Sequence, residues 1–195
     1  MDPIERVAAL FAESVKLNAE AAATQAEPIA MAAECIMTSL LGGGKKLSCG
    51  NGSSAADALY FAAQMQHRFE RERPGLPAIA LNSDAVTLTA IAVDEGFSAI
   101  FAKQISALGH QGDVLLTLGI DGTASNMVAA VEAAKERQLQ IIALTGRDGG
   151  GVAAGLRTGD IEIRAPATDA ARILENHRLV IHCLCDLIDL QLMGG

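Results

Sequence analysis

Lys46-Leu47-Ser48-Cys49-Gly50-Asn51-Gly52-Ser53-Ser54 is the stretch that decides the fold. A short apolar strand runs into a glycine-containing loop, and from Ala55 onward the pattern is helical. Glycine allows tight turns and close approach of backbone to a ligand, and the free N–H groups that open a helix favour an anion. A second passage of the same kind follows, where Val114-Leu115-Leu116-Thr117-Leu118 runs into Gly119-Ile120-Asp121-Gly122-Thr123-Ala124. Around these two, apolar strands at 45–49, 77–81, 113–118, 140–145 and 160–163 alternate with amphipathic stretches at 55–70, 84–107, 126–137 and 151–156. That alternation specifies an α/β fold, a parallel sheet with helices on both faces. Such sheets bind ligands beyond the strand C-termini, where the strand order reverses. The loops 50–54 and 119–125 are placed to flank that point, although each alone is equally well explained as a tight turn.

Upstream, residues 4–41 carry helical periodicity with a break near Glu27-Pro28 and a stop at Gly42-Gly43-Gly44, which reads as a helical hairpin over residues 1–44. Downstream, a long helix over 168–192 is apolar around much of its circumference. The 195 residues suit one domain, with the α/β core at 45–195. The apolar faces of 6–24, 27–41 and 170–190 exceed what one small sheet covers, so self-association is expected. Leu192 and Met193 fall beyond the densest core pattern and are candidates for contact with a protein partner.

Composition excludes several classes. A formal charge of −8 argues against direct nucleic-acid binding, which draws its affinity from Lys and Arg neutralising phosphates. No apolar run approaches a membrane span. Met1-Asp2-Pro3-Ile4-Glu5-Arg6 is acidic where a signal peptide would be basic, so a cytoplasmic protein is expected. Cys35, Cys49, Cys183 and Cys185 sit in apolar stretches and read as free thiols.

Four stretches together resemble the sugar isomerase (SIS) domain family: 48–58, 68–78, Ala143-Leu144-Thr145-Gly146-Arg147-Asp148-Gly149-Gly150, and Cys183-Leu184-Cys185-Asp186-Leu187-Ile188-Asp189. Within it they resemble the branch that holds the phosphoheptose isomerases and DiaA, the protein that associates with the DnaA replication initiator. The resemblance covers nearly the whole chain and implies a flavodoxin-like, doubly wound sheet of five strands and a homotetramer.

It also implies a catalytic set that this chain departs from. The isomerases of the family hold zinc with a His and a Glu four residues apart after the first glycine loop, and a Gln and a His on the terminal helix. The matching positions are Tyr60, Gln64, Leu174 and His182, of which only the last is retained. The family's Ser-Thr-Ser-Gly-Asn-Ser phosphate loop is Gly119-Ile120-Asp121-Gly122-Thr123-Ala124 here. A carboxylate at Asp121 would repel a phosphate, by roughly 4 kcal/mol per unit-charge pair at 4 Å. Asn51, Gly52, Ser53, Ser54, Arg68, Asp94, Asp121, Thr123 and Ser125 remain the candidate ligand-binding residues. The resulting expectation is a catalytically degenerate, DiaA-like binding protein that holds no metal or cofactor. The alternatives are a phosphoheptose isomerase, which would bring zinc, or a sensor of an uncharged sugar-like ligand.

Overall fold

The computed structural model describes residues 2–194. The carboxylate of Asp2 accepts the Ile4 N–H at 3.1 Å and Pro3 takes the first turn, where its missing N–H has no helical partner to lose. Helix α1 then runs unbroken over Pro3–Leu41, so the expected hairpin is a single long helix with Pro28 inside it. An interior proline costs about 3 kcal/mol. Burial of Leu17, Ala21, Gln25, Ile29, Ala32 and Ile36 along one face offsets it. The Gln25 amide bridges the Arg164 carbonyl at 2.8 Å and Asn176 Oδ1 at 2.9 Å, fastening α1 to two distant parts of the chain three residues before the proline.

The remaining elements follow as β1 (Lys46–Gly50), α2 (Ser53–Gln66), β2 (Ala78–Ala80), α3 (Ala85–Asp94), a 3-10 turn (Phe97–Ala99), α4 (Ala102–Leu108), β3 (Val114–Leu118), α5 (Ser125–Glu136), β4 (Gln140–Thr145), α6 (Gly150–Ala154), β5 (Ile161–Arg164) and α7 (Ala170–Met193). The stretch 84–107 is thus three pieces rather than one, divided where Gly96 takes φ +89°. The five strands are all parallel in the order β2-β1-β3-β4-β5, with Leu47 level with Leu115 and Leu115 with Ile141. Every residue of β1 and β3 is buried, as expected of strands covered on both faces. On one face α1, α2 and α7 enclose a core that includes Ile36, Phe61, Met65, Leu116, Leu144 and Leu184; on the other α4 and α5 enclose Phe101, Ile105, Leu115 and Val131. The chain leaves β1 for one sheet edge and β3 for the other, which puts the reversal between these two strands, with loops 50–53 and 119–125 at its C-terminal mouth.

Candidate active site

A cavity of about 190 Å³ opens at that reversal, lined among others by Asn51, Ser54, Thr117, Asp121, Gly122 and Thr145. Its glycines are required by close packing. A Cβ on Gly50 would lie 2.6 Å from the Ser54 carbonyl oxygen, and one on Gly122 would overlap the Gly149 carbonyl. The two helices that start at the crevice lack a side-chain cap, as α4 and α6 also do. Helices α1, α3 and α7 are capped by the carboxylates of Asp2, Asp84 and Asp169, whereas α2 and α5 begin at Gly52 and Ala124 with no side-chain cap. In their first turns the N–H groups of Ser54, Ala55 and Met127 bond the carbonyls of Asn51, Gly52 and Ala124, which leaves those of Ser53, Ser125 and Asn126 for solvent or a ligand anion.

The predicted ligand-binding residues distribute unevenly around this mouth. Ser54 is buried and faces the cavity, while Ser53 and Gly52 lie at its exposed rim. Asn51 spends its amide on a reciprocal pair with Asn126, at 2.8 Å in each direction, which bolts the β1 loop to α5. Asp121 turns aside: Oδ1 accepts the Thr123 N–H at 3.1 Å and the Thr123 hydroxyl at 2.8 Å, and Oδ2 faces Arg147 at 3.3 Å. These contacts, the Thr123 backbone bond first, hold its carboxyl below the ordinary range. The expected repulsion of a phosphate is thereby reduced, because an arginine stands against the carboxylate. Ser125 is exposed in the first turn of α5. Arg68 pairs with Glu72 at 3.0 Å, and Asp94 is exposed at the end of α3; neither is among the residues lining the cavity. Leu192 packs in part against the core beneath α7, and Met193 is exposed.

From the mouth, one stripe of α2 faces one stripe of α7. Ser53, Asp57, Tyr60 and Gln64 recur at helical spacing, as do Ala171, Leu174, Arg178 and His182. Ser53, Asp57, Leu174 and Arg178 line an open cleft between the two helices. Farther along, Tyr60 Oη and His182 Nε2 are 3.2 Å apart, and the Arg178 guanidinium lies 3.9 Å from the centre of the Tyr60 ring while it pairs with Asp57. Phe69 covers the other side of the imidazole, ring centres 5.6 Å apart. Burial, and then the charge of Arg178, push the His182 pKa below its ordinary value, so that the ring is neutral near pH 7.

The family's zinc does not suit these residues. Leu174 has no donor atom, Tyr60 and His182 are bonded to one another, and Gln64 brings a neutral amide where the family has a carboxylate. Among the described residues no cluster of three His, Cys, Asp or Glu could hold a metal. His177, by contrast, is wholly buried and bonds the Thr145 carbonyl through Nε2 at 2.9 Å, a structural tie between α7 and the end of β4. Sequence reasoning passed over Arg147, Asp57 and Arg178. The first stands inside a quoted family stretch, but its partner lies on another loop, and the other two gain meaning only when α2 and α7 are side by side.

Fold and crevice define an α/β protein of the doubly wound class with an anion-accepting mouth at the strand reversal. The chain belongs to the SIS domain family, whose model matches residues 3–146. It is 51% identical over 194 residues to a phosphoheptose isomerase of Aromatoleum aromaticum, covering 100% of this chain and 98% of the relative. Among solved structures it is similar to the phosphoheptose isomerase GmhA of Neisseria gonorrhoeae, at 48% identity and TM-score 0.91, covering 96% of this chain and 99% of that one. It is also similar to a phosphoheptose isomerase of Francisella tularensis, at 44% identity and TM-score 0.94, covering 97% and 99%. These relatives correct the expectation of a degenerate, DiaA-like regulator: proteins about half identical to this chain over its full length are isomerases by name.

Proposed function

We propose that the protein is an aldose–ketose isomerase of the phosphoheptose type, acting on sedoheptulose 7-phosphate. The observation that supports this most strongly is identity of 51% to a phosphoheptose isomerase along essentially the whole length of both chains. The phosphate end of the sugar lies at the switch-point mouth, against the uncapped first turns of α2 and α5. The carbon chain extends along the cleft between α2 and α7 toward Tyr60 and His182.

Isomerisation moves one proton between adjacent carbons and another between their oxygens, which needs a base and an acid beside the sugar. His182, neutral at pH 7, takes the carbon-bound proton and returns it to the neighbouring carbon. The Tyr60 hydroxyl, bonded to the same imidazole, exchanges the oxygen-bound proton. Arg178 provides positive charge over the Tyr60 ring, where negative charge builds up on the enediolate oxygens. The test is turnover of sedoheptulose 7-phosphate followed by proton NMR, with solvent deuterium entering at the exchanging carbon. Absence of turnover by the purified protein discards the assignment.

The same molecule is proposed to work as a homotetramer. Ile4, Val7, Phe11 and Val15 form an exposed apolar stripe on the first third of α1, from 54% to 77% accessible, which a second copy would cover. Light scattering that gives a monomer would refute this.

A further inference from the structure

Arg147 has no part in the proton transfer, yet its placement is unusual. Its backbone takes φ +51°, a region that residues with a side chain seldom adopt. Three contacts hold it there: its N–H donates to the Ala167 carbonyl at 3.3 Å, Nε donates to the Thr168 carbonyl at 3.3 Å, and Nη1 donates to Asp121 Oδ2 at 3.3 Å. The result is a guanidinium reaching from the end of β4 across to the loop that follows β3. Asp121 is the wall shared by the switch-point cavity and the open cleft that contains Arg147.

The other arginines around this mouth are committed. Arg164 makes two bonds of 2.8 Å to Glu162, and Arg178 pairs with Asp57. Arg147 has a single, long contact with its carboxylate, both side chains are about four-tenths exposed, and several of its five donors remain free. Meanwhile the loop has lost four hydroxyls relative to its family, at Gly119, Ile120, Asp121 and Ala124, regained one at Thr123, and gained a negative charge. Without a cation that loop would oppose a phosphate dianion. With Arg147 its net charge is zero, and the fork-shaped guanidinium matches phosphate oxygens.

We propose that Arg147 determines specificity for the phosphate end of the substrate, cancelling the charge of Asp121 and donating to the phosphate in place of the missing serine hydroxyls. This rests on the isomerase assignment for the identity of the sugar, but not for the phosphate itself.

Two readouts separate the two. Binding of inorganic phosphate is measured by calorimetry on the full chain, and KM and kcat are measured with sedoheptulose 7-phosphate. Arg147→Gln is expected to weaken phosphate binding and to raise KM at least tenfold, with the loss falling on KM rather than kcat, and Arg147→Lys to recover most of it. Asp121→Asn is expected to tighten phosphate binding several-fold, and Asp121→Asn with Arg147→Gln to bind more tightly than Arg147→Gln alone. Thermal unfolding of each variant identifies any that fail to fold, and the Asp121→Asn arm decides if Arg147→Gln is among them. Phosphate binding that is indifferent to both positions, or absent from the unmodified protein, overturns the proposal. Phosphate binding with the expected pattern but no sugar turnover upholds it and discards the isomerase assignment instead.

Discussion

Tyr60 and His182 are 122 positions apart in the chain and 3.2 Å apart in the structure, joined Oη to Nε2 across the seam of α2 and α7. His182→Ala is expected to lower kcat by about 10²–10⁴, the usual worth of a positioned acid–base group. Tyr60→Phe, which keeps the ring beneath Arg178 and removes only the hydroxyl, is expected to cost less. The His182 pKa is depressed, so its neutral, basic form persists below the ordinary value of 6.5. The acid limb of kcat/KM should therefore fall at a pH below 6.5. A limb above 7, or unaltered turnover in His182→Ala, would remove His182 from the mechanism.

Chelation is expected to leave activity intact. Tyr60, Gln64 and Leu174 offer zinc nothing that it prefers, and one imidazole cannot hold it. Metal analysis of the purified protein should give far less than one zinc per chain, and dialysis against EDTA should change kcat by less than twofold. Stoichiometric zinc together with EDTA-sensitive turnover would mean that the protein recruits ligands in another arrangement.

The sheet was legible because burial on both faces makes each strand a continuous apolar run: Val114–Leu118 and Gln140–Thr145 lie within a residue of their expected limits. Helix α1 was misread at Pro28, since a proline signals a break locally while packing against α7, seen only in the fold, carries the helix through. The mouth of the crevice was legible from its glycines. Its charges were not: Asp121 looked repulsive because Arg147, 26 positions on, could not be placed beside it without the β3 and β4 loops in register. Asn51 looked available to a sugar for the same reason, its partner Asn126 being 75 positions away.

Gly122→Ala tests the packing of that mouth. Gly122 takes φ +63°, and a Cβ there would press on the carbonyl of Gly149, which itself turns with φ +78°. Positive φ alone costs an alanine about 1–2 kcal/mol, and the backbone overlap adds to it. Denaturant unfolding should show a loss of at least that size with KM raised, since the loop must shift. Gly43→Ala, at φ +80° with open space around it, should show the smaller, conformational part alone.

His177 should make stability depend on pH. Its ring is wholly buried, Nδ1 lacks a partner, and burial lowers its pKa below 6.5 in the folded state. Between the folded and ordinary values the unfolded chain binds the proton and the folded one does not, so stability is fully present above 6.5 and declines as pH falls through that window. His177→Gln keeps a donor for the Thr145 carbonyl but cannot titrate, and should flatten this part of the profile. An equal slope in the variant would assign the acid sensitivity to other groups.

Arg73 and Asp189 meet at 2.5 Å with side chains 0% and 2% exposed. Arg73 also donates to the carbonyls of Gln64, Met65 and Pro74, so it fastens the segment after α2 to the end of α7. The carbonyls hydrogen-bond the guanidinium but do not neutralise it; among the described residues only Asp189 does, and its Oδ2 has no hydrogen-bond partner there. Asp189→Leu would strand a buried cation, for which about 3–5 kcal/mol is the ordinary cost. Arg73→Met with Asp189→Leu removes both charges and should recover much of that loss, since desolvation of a buried pair cancels most of its attraction. Urea unfolding of the two single variants and the double variant closes the cycle, and the coupling should exceed 1 kcal/mol. If the double variant is as unstable as the sum of the single ones, the pair acts through its carbonyl contacts and packing rather than through its charge.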